Sequence, residues 1–219
     1  MRPLFTLNSR LTLCAEMVRK GSRIADIGTD HAYLPVWLVR AGFASFALAC
    51  DIKAEPLKAG QLTINKYHAE DKVETRLCDG LQDVNAEEVD DIIIAGMGGE
   101  TIVHILTNAP WIADKSKKLI LQPMSKHELV IDYLYKNGFE LSEHKCTFTD
   151  GKIYTAFSAV FTDKKEKPDE VFTYTGLLDN SDENNVKFLV STINHLTKKS
   201  NADPHYKEIA DKIKERFSL

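Results

Sequence analysis

The sequence predicts an α/β protein with a mostly parallel, seven-stranded sheet that ends in an antiparallel hairpin, followed by an α-helical hairpin. Three observations carry this. Short, β-branched, continuously apolar runs such as IIIA and LILQ alternate with stretches of helical periodicity, the pattern of strands covered on both faces. An Asp150-Gly151 pair separates two strand-like runs, a strong hairpin signal. A charged, proline-containing break, DKKEKPDE at 163–170, then precedes two amphipathic helical stretches.

In chain order, residues 7–19 have helical periodicity and are expected to pack on the edge of the sheet. Residues 23–27 form a first strand, and 31–42 read as a helix with Gly42 near its C-cap. Strands at 46–50, 73–78, 91–95 and 119–122 alternate with helices at 54–69, 100–107 and 126–137. Such alternation implies right-handed crossovers and parallel pairing. Runs 139–148 and 152–161 then face each other across the Asp-Gly turn. A parallel sheet that finishes this way has the layout of the class I (Rossmann-like) methyltransferase fold, an ending that an ordinary dinucleotide-binding domain does not predict. Beyond the break, Val186, Leu189, Val190, Ile193 and Leu196 repeat at helical spacing, as do Tyr206, Ile209, Ala210, Ile213 and Phe217. Asp203 and Pro204 suit the start of the last helix. The expected division is therefore a first domain over 1–162 and a helical, coiled-coil-like hairpin over 163–219.

Composition narrows the function. The chain has 219 residues, a net charge of −4 and 43% hydrophobic residues, which suits a soluble globular protein and gives no general attraction to nucleic acid or anionic membranes. No apolar run approaches the roughly 18–20 residues that span a bilayer, and MRPLFTLNSR lacks a signal-peptide core. The four cysteines lie far apart without CxxC or His–Cys spacing, which argues for a reducing cytoplasm, buried small-hydrophobe roles and no structural zinc. There are no internal repeats. No metal, membrane or obligate protein partner is expected.

The turn after the first strand reads Asp26-Ile-Gly28-Thr29-Asp30-His31, with one glycine and two acids. A pyrophosphate site needs several glycines for close backbone approach. A carboxylate about 4 Å from a phosphate charge costs on the order of 4 kcal/mol at an effective dielectric near 20, and a cationic ligand reverses that sign. S-adenosylmethionine carries an ammonium and a sulfonium. The bland alternative is that Asp26 and Asp30 cap the following helix. Asp51 ends the second strand, where a carboxylate accepts a ribose diol. Asp79-Gly80 ends the third, as an adenine-amine contact or as a plain turn. Three glycines in Gly96-Met97-Gly98-Gly99 permit close approach at the fourth strand end, and the Asn/Asp-Pro-Pro-aromatic motif of many exocyclic-amine methyltransferases is absent there. Gln122, ending the fifth, either lines the pocket or satisfies local backbone.

LNSRLTLCAEMV, ADIGTDHAYLP, ACDIKAEPLKAGQ, CDGL, IIIAGMGGETI and LILQP occur in this order, and over residues 7–161 the chain resembles the bacterial TrmK family of tRNA (adenine(22)-N1)-methyltransferases. The resemblance implies S-adenosylmethionine as cofactor, held by Asp26, Gly28, Thr29, Asp30, His31, Asp51, Asp79, Gly80, Gly96 and Met97, and tRNA as substrate. It assigns no catalytic base. Asp30 is a candidate to offset charge on the methylated ring. His31 is placed either to orient the base or move a proton, or simply to bond local backbone. For RNA contact the candidates are Arg10, Arg19, Lys20 and Arg23, with Lys198 and Lys199 at the hairpin tip. The tail has ten Lys/Arg against eleven Asp/Glu, so it is no polybasic arm. Competing readings keep the cofactor but change the substrate to another RNA or a small molecule, or replace the chemistry with NAD-dependent oxidation, or leave a scaffold with a degenerate pocket.

Overall fold

The computed structural model describes residues 3–219. Its strands are β1 (Ser22–Ile27), β2 (Ala44–Asp51), β3 (Val73–Leu77), β4 (Asp91–Gly98), β5 (Lys118–Ser125), β6 (Phe139–Thr149) and β7 (Lys152–Phe161). They form one sheet of order β3-β2-β1-β4-β5-β7-β6. The first five strands pair in parallel, while β7 runs antiparallel to both β5 and β6. Crossovers leave β1 in one direction and β4 in the other, which opens a crevice beyond the carboxyl ends of those two strands. The helices are α1 (Ser9–Glu16), α2 (Tyr33–Arg40), α3 (Ala54–Lys66), α4 (Gly99–Thr107), α5 (His127–Lys136), α6 (Glu170–Thr175), α7 (Glu183–Lys199) and α8 (His205–Phe217).

The period of two along each strand divides the core between the faces. Ile24, Ile93 and Ile120 pack with Cys14 of α1, Leu38 of α2 and Ile64 of α3. Their neighbours Ala25, Ile92, Ile94 and Leu121 pack on the opposite face with Ile102 of α4 and Ile131 of α5. Because both faces are covered, the strands read as unbroken apolar runs. At the hairpin tip Asp150 and Gly151 have φ of 51° and 73°, the two left-handed residues that a two-residue hairpin turn needs.

Several elements differ from expectation. Helix α1 lies on the face of the sheet across β4 to β6, not at its edge. Strand β4 continues to Gly98 and β5 runs through Pro123 to Ser125, with a register shift between Ala95 and Met97. Helix α2 begins at Tyr33, because His31 and Ala32 are left-handed with φ of 57° and 52°. The charged break ends in the short helix α6, whose first turn is capped by Asp169 accepting from the Phe172 N–H at 2.9 Å.

In the tail, Leu189, Ile193 and Leu196 of α7 pack on Ile209, Ala210 and Ile213 of α8. Phe188 turns toward Cys146, Ile153 and Leu178 and meets the His127 ring edge-on at 5.1 Å. At ~100° per residue, Val190 falls outside the arc that these two contacts occupy, and it is 41% exposed instead of buried. The Asp203 carboxylate accepts from the His205 N–H at 3.0 Å, starting α8 as the sequence suggests.

Candidate functional site

The crevice gathers the predicted residues from four strand ends. Asp26 lies in β1 opposite Ala49 and Ile93, Asp51 closes β2, Asp79 follows β3, and Gly96 to Gly98 finish β4. Gly28 has φ of 76°, and its N–H and that of Thr29 both donate to the Cys50 carbonyl, at 2.9 and 2.8 Å. A phosphate-binding turn presents such donors to its ligand. Here they are committed to the neighbouring strand, so the turn offers the crevice acids instead of amides.

Asp26 is almost buried, and burial pushes its carboxyl from 3.8 up to about 6, with the Thr29 hydroxyl and the Arg10 guanidinium pulling it down in part and Asp51 adding to the rise. Thr29 Oγ1 is buried and has no hydrogen-bond partner of good geometry; it is near enough to Asp26 to lower that pKa without closing a bond. The Asp51 carboxylate accepts from the Lys53 N–H at 2.8 Å, which fixes its orientation at the rim. Asp79 is exposed, and Gly80 turns with φ of 60° against Ile105. Met97 covers Gly28 closely: a Cβ on Gly28 would stand 2.1 Å from the Met97 methyl carbon.

The glycines of the fourth strand end divide by role. A Cβ at Gly96 would stand 2.9 Å from Arg10 Nη1, whereas one at Gly99 would stand 2.2 Å from the Lys126 carbonyl oxygen. Gly99 therefore serves the packing of α4 against the start of α5. Gln122 is fully buried. Its Oε1 accepts from Arg10 Nη1 at 2.8 Å and from the Gly96 N–H at 3.0 Å, and its Nε2 donates to the Pro123 carbonyl at 3.1 Å. The Gln122 amide thus satisfies local groups and does not line the crevice.

Asp30 and His31 stand further out than buried Asp26, with side chains 84% and 48% exposed and 3.3 Å apart. The left-handed pair His31-Ala32 separates Asp30 from α2, which has no side-chain cap, so the helix-capping alternative for Asp30 fails. His31 stacks on Tyr33, centroids 5.5 Å apart. Three residues escaped the sequence reading as site components. Arg10 reaches under Gly96, and Ile52 and Leu77 are 61% and 59% exposed beside Asp51, with Leu77 in register with it. An isoleucine directly after the strand-end acid was the available signal for Ile52; Arg10 gave none.

The basic residues assigned to RNA are mostly structural. Arg19 Nε donates to Asp91 at 2.6 Å and its Nη2 donates to the Asp90 and Ser116 carbonyls, while Asp91 itself is completely buried. Arg23 pairs with Asp90 and donates to the Glu87 carbonyl. With Arg10 on Gln122, three of the four N-terminal cations are held by intramolecular partners, although the Arg19 and Arg23 side chains stay 44% and 42% exposed, and exposed Lys20 has no such partner among the described residues. Lys199 lies over the Tyr206 ring at 5.0 Å, whereas Lys198 is exposed. All four cysteines are buried free thiols. Among the described residues no helix is long and apolar enough to cross a membrane, and no His/Cys/Asp/Glu group has metal-site geometry.

Residues 7–157 match a family model described as a methyltransferase domain. The chain is 34% identical over 172 residues to the tRNA (adenine(22)-N(1))-methyltransferase of Bacillus subtilis, covering 78% of this chain and 72% of that one. Among solved structures it superposes on the B. subtilis M1A22 tRNA methyltransferase TrmK with a TM-score of 0.82 at 28% identity, covering 99% of this chain and 97% of that chain. A Streptococcus pneumoniae protein in complex with S-adenosyl-L-methionine gives 0.86 at 26% identity over 96% and 99%. M. capricolum TrmK in complex with S-adenosyl-homocysteine gives 0.80 at 25% over 97% and 98%.

Proposed function

The chain belongs to the bacterial TrmK family of tRNA (adenine(22)-N1)-methyltransferases, and we propose that it transfers the methyl group of S-adenosylmethionine to N1 of adenine 22 of tRNA. The observation that carries the cofactor half is the ring of carboxylates around a turn whose first two amides are already bonded to Cys50. The residues fit a cation-bearing cofactor. Asp26, Asp30 and Asp51 supply negative charge, the orphaned Thr29 hydroxyl has hydrogen-bonding capacity left, and Gly28 lets a ligand reach the backbone once the Met97 methyl moves aside. Asp51 takes the ribose hydroxyls, Asp79 the adenine amine, and the exposed Ile52 and Leu77 supply apolar surface for the adenine ring. Gly80, Gly96 and Met97 line the same opening.

When bound, S-adenosylmethionine supplies an electrophilic methyl group. Adenine N1 has a free lone pair at neutral pH, so the chain need not remove a proton before attack. Its work is to hold a base turned out of the RNA stack in line with that methyl. Carbonyls of the Gly96–Gly98 segment accept from the exocyclic amine, which fixes the face of the ring. The methylated ring becomes positive, and exposed Asp30 stabilises that charge. His31, stacked on Tyr33 and beside Asp30, orients the base. Arg10 acts at one remove by clamping Gln122 and, through it, the Gly96 N–H. Residues 1–162 form the methyltransferase domain and 163–219 serve tRNA binding, in the reducing cytoplasm that free buried thiols suit. No obligate protein partner is needed.

Incubation with labelled S-adenosylmethionine and tRNA lacking modifications tests this. Label recovered as 1-methyladenosine after nuclease digestion is the expected result. Label in a different nucleoside, or none in tRNA, would overturn the proposed substrate.

A further inference from the structure

A groove of about 1010 Å³ lies between α7 and the β6–β7 hairpin, floored by the end of β5. None of its lining residues is a carboxylate, while Lys152, Lys187, Lys198 and His195 are among them. In a chain of net charge −4, an acid-free trough of this size is a local reversal of sign. The sequence of α7 produces it, because no Asp or Glu occurs between Glu183 and Asp203. Lys187 is shared with Glu183 at 2.6 Å, but Lys152 and Lys198 have no ion-pair partner among the described residues. Exposed apolar side chains collect in the same place: Phe148 is 48% and Met124 52% exposed, and Lys187 Nζ stands 4.9 Å from the Phe148 ring centre. Ser125 in its lining pairs in register with Gly98, so one side of the groove adjoins the β4 strand end of the candidate site.

Unpaired cations beside an exposed aromatic face, without carboxylates, match the chemistry of a single-stranded or looped nucleic acid, whose phosphates seek cations and whose bases stack. We propose that this groove seats the RNA strand flanking the target adenine, with a base on Phe148 and phosphates at Lys152 and Lys198. The assignment rests on the tRNA reading above and names a surface whose Lys152 and Lys198 cations are free, whereas Arg10, Arg19 and Arg23 are committed to Gln122, Asp91 and Asp90.

The test titrates unmodified tRNA against the full chain, the Lys152→Ala/Lys198→Ala double variant and Phe148→Ala, at salt concentrations from about 50 to 200 mM. All three positions are exposed, and calorimetric titration with S-adenosylmethionine checks that the variants stay folded and cofactor-competent. The double variant should lose about tenfold in tRNA affinity at low salt and show a salt slope lower by about 1–2. Phe148→Ala should lose about tenfold without a change of slope. Wild-type affinity and slope in both variants would overturn the proposal and leave the groove to a partner other than RNA. Failure of the wild-type chain to bind tRNA would overturn the tRNA reading itself, and this proposal with it.

Discussion

Asp26→Asn is expected to stabilise the protein while crippling its site. Burial raises the Asp26 carboxyl from 3.8 to about 6, so the folded chain holds this proton more tightly than the unfolded chain does. Stability that protonation provides is then present at low pH and is lost as pH rises from about 4 through about 6. At 1.36 kcal/mol per pH unit, the rise from 3.8 to about 6 makes the ionised carboxylate cost about 3 kcal/mol above pH 6. A neutral amide of the same shape escapes that cost, and in a chain of this size about 3 kcal/mol corresponds to about 6–12 °C in Tm as an upper bound. The cofactor responds in the opposite sense. A cationic ligand favours the ionised form, so wild-type affinity should fall about tenfold per pH unit below about 6, while the variant binds weakly and without that pH dependence. Chemical denaturation from pH 4.5 to 8, paired with calorimetric cofactor titrations, reads both quantities. A stability difference that does not change with pH, or wild-type cofactor affinity in Asp26→Asn, would refute the reasoning.

Gly28→Ala forces a residue with φ of 76° to carry a Cβ against Met97, which should cost about 1–2 kcal/mol of stability and weaken cofactor binding by more than about tenfold; calorimetry showing undiminished affinity would contradict the close-approach role. Arg19→Ala strands the buried Asp91 and should lower stability by about 3 kcal/mol with tRNA affinity unchanged, to be checked by denaturation and filter binding on the same preparation. An effect on tRNA alone would restore Arg19 as an RNA contact. His144 of β6 is half-buried and turns its ring toward Phe188 of α7, and the desolvation of that ring, with His127 nearby, pushes its pKa from 6.5 down to about 3. The unfolded chain therefore takes up that proton first, and stability falls as pH drops below about 6.5, by about 2 kcal/mol at pH 5. His144→Gln should remove this acid loss. Because Asp26 acts in the opposite direction over the same range, the wild-type profile is flatter than either variant's, and parallel profiles for wild type and His144→Gln would contradict the assignment.

Most of the fold is legible in the sequence because the sheet is covered on both faces, so strands such as Ile92–Ile94 show as unbroken apolar runs, and because the Asp150-Gly151 turn has a local chemical signature. The acids of the candidate site were equally visible, since Asp51 and Asp79 end or follow a strand and Asp26 interrupts the apolar run of β1. What escaped depends on distance or on rare backbone. The partners of Arg10, Arg19 and Arg23 lie 112, 72 and 67 residues away, so no local pattern distinguishes these paired arginines from solvated cations. The left-handed His31-Ala32 pair includes an alanine, which has no preference for that region, although histidine is found there more often than most residues; the pair moved the start of α2 and freed Asp30. Helix α6 is only six residues long, too short for periodicity to separate it from the charged break before it. The groove beside α7 needed two elements brought together, although half of its character, the acid-free run after Glu183, was there to be read.

The account stands or falls on where the methyl group arrives. Transcripts of one substrate tRNA with adenine at position 22, and matched transcripts with guanine there, should be incubated with the chain and S-adenosylmethionine and then copied by reverse transcriptase, which stops at an N1-methylated base. A stop at position 22 that vanishes with the guanine transcript is the predicted result. A stop that persists in the guanine transcript, or full-length copying of both, would contradict it.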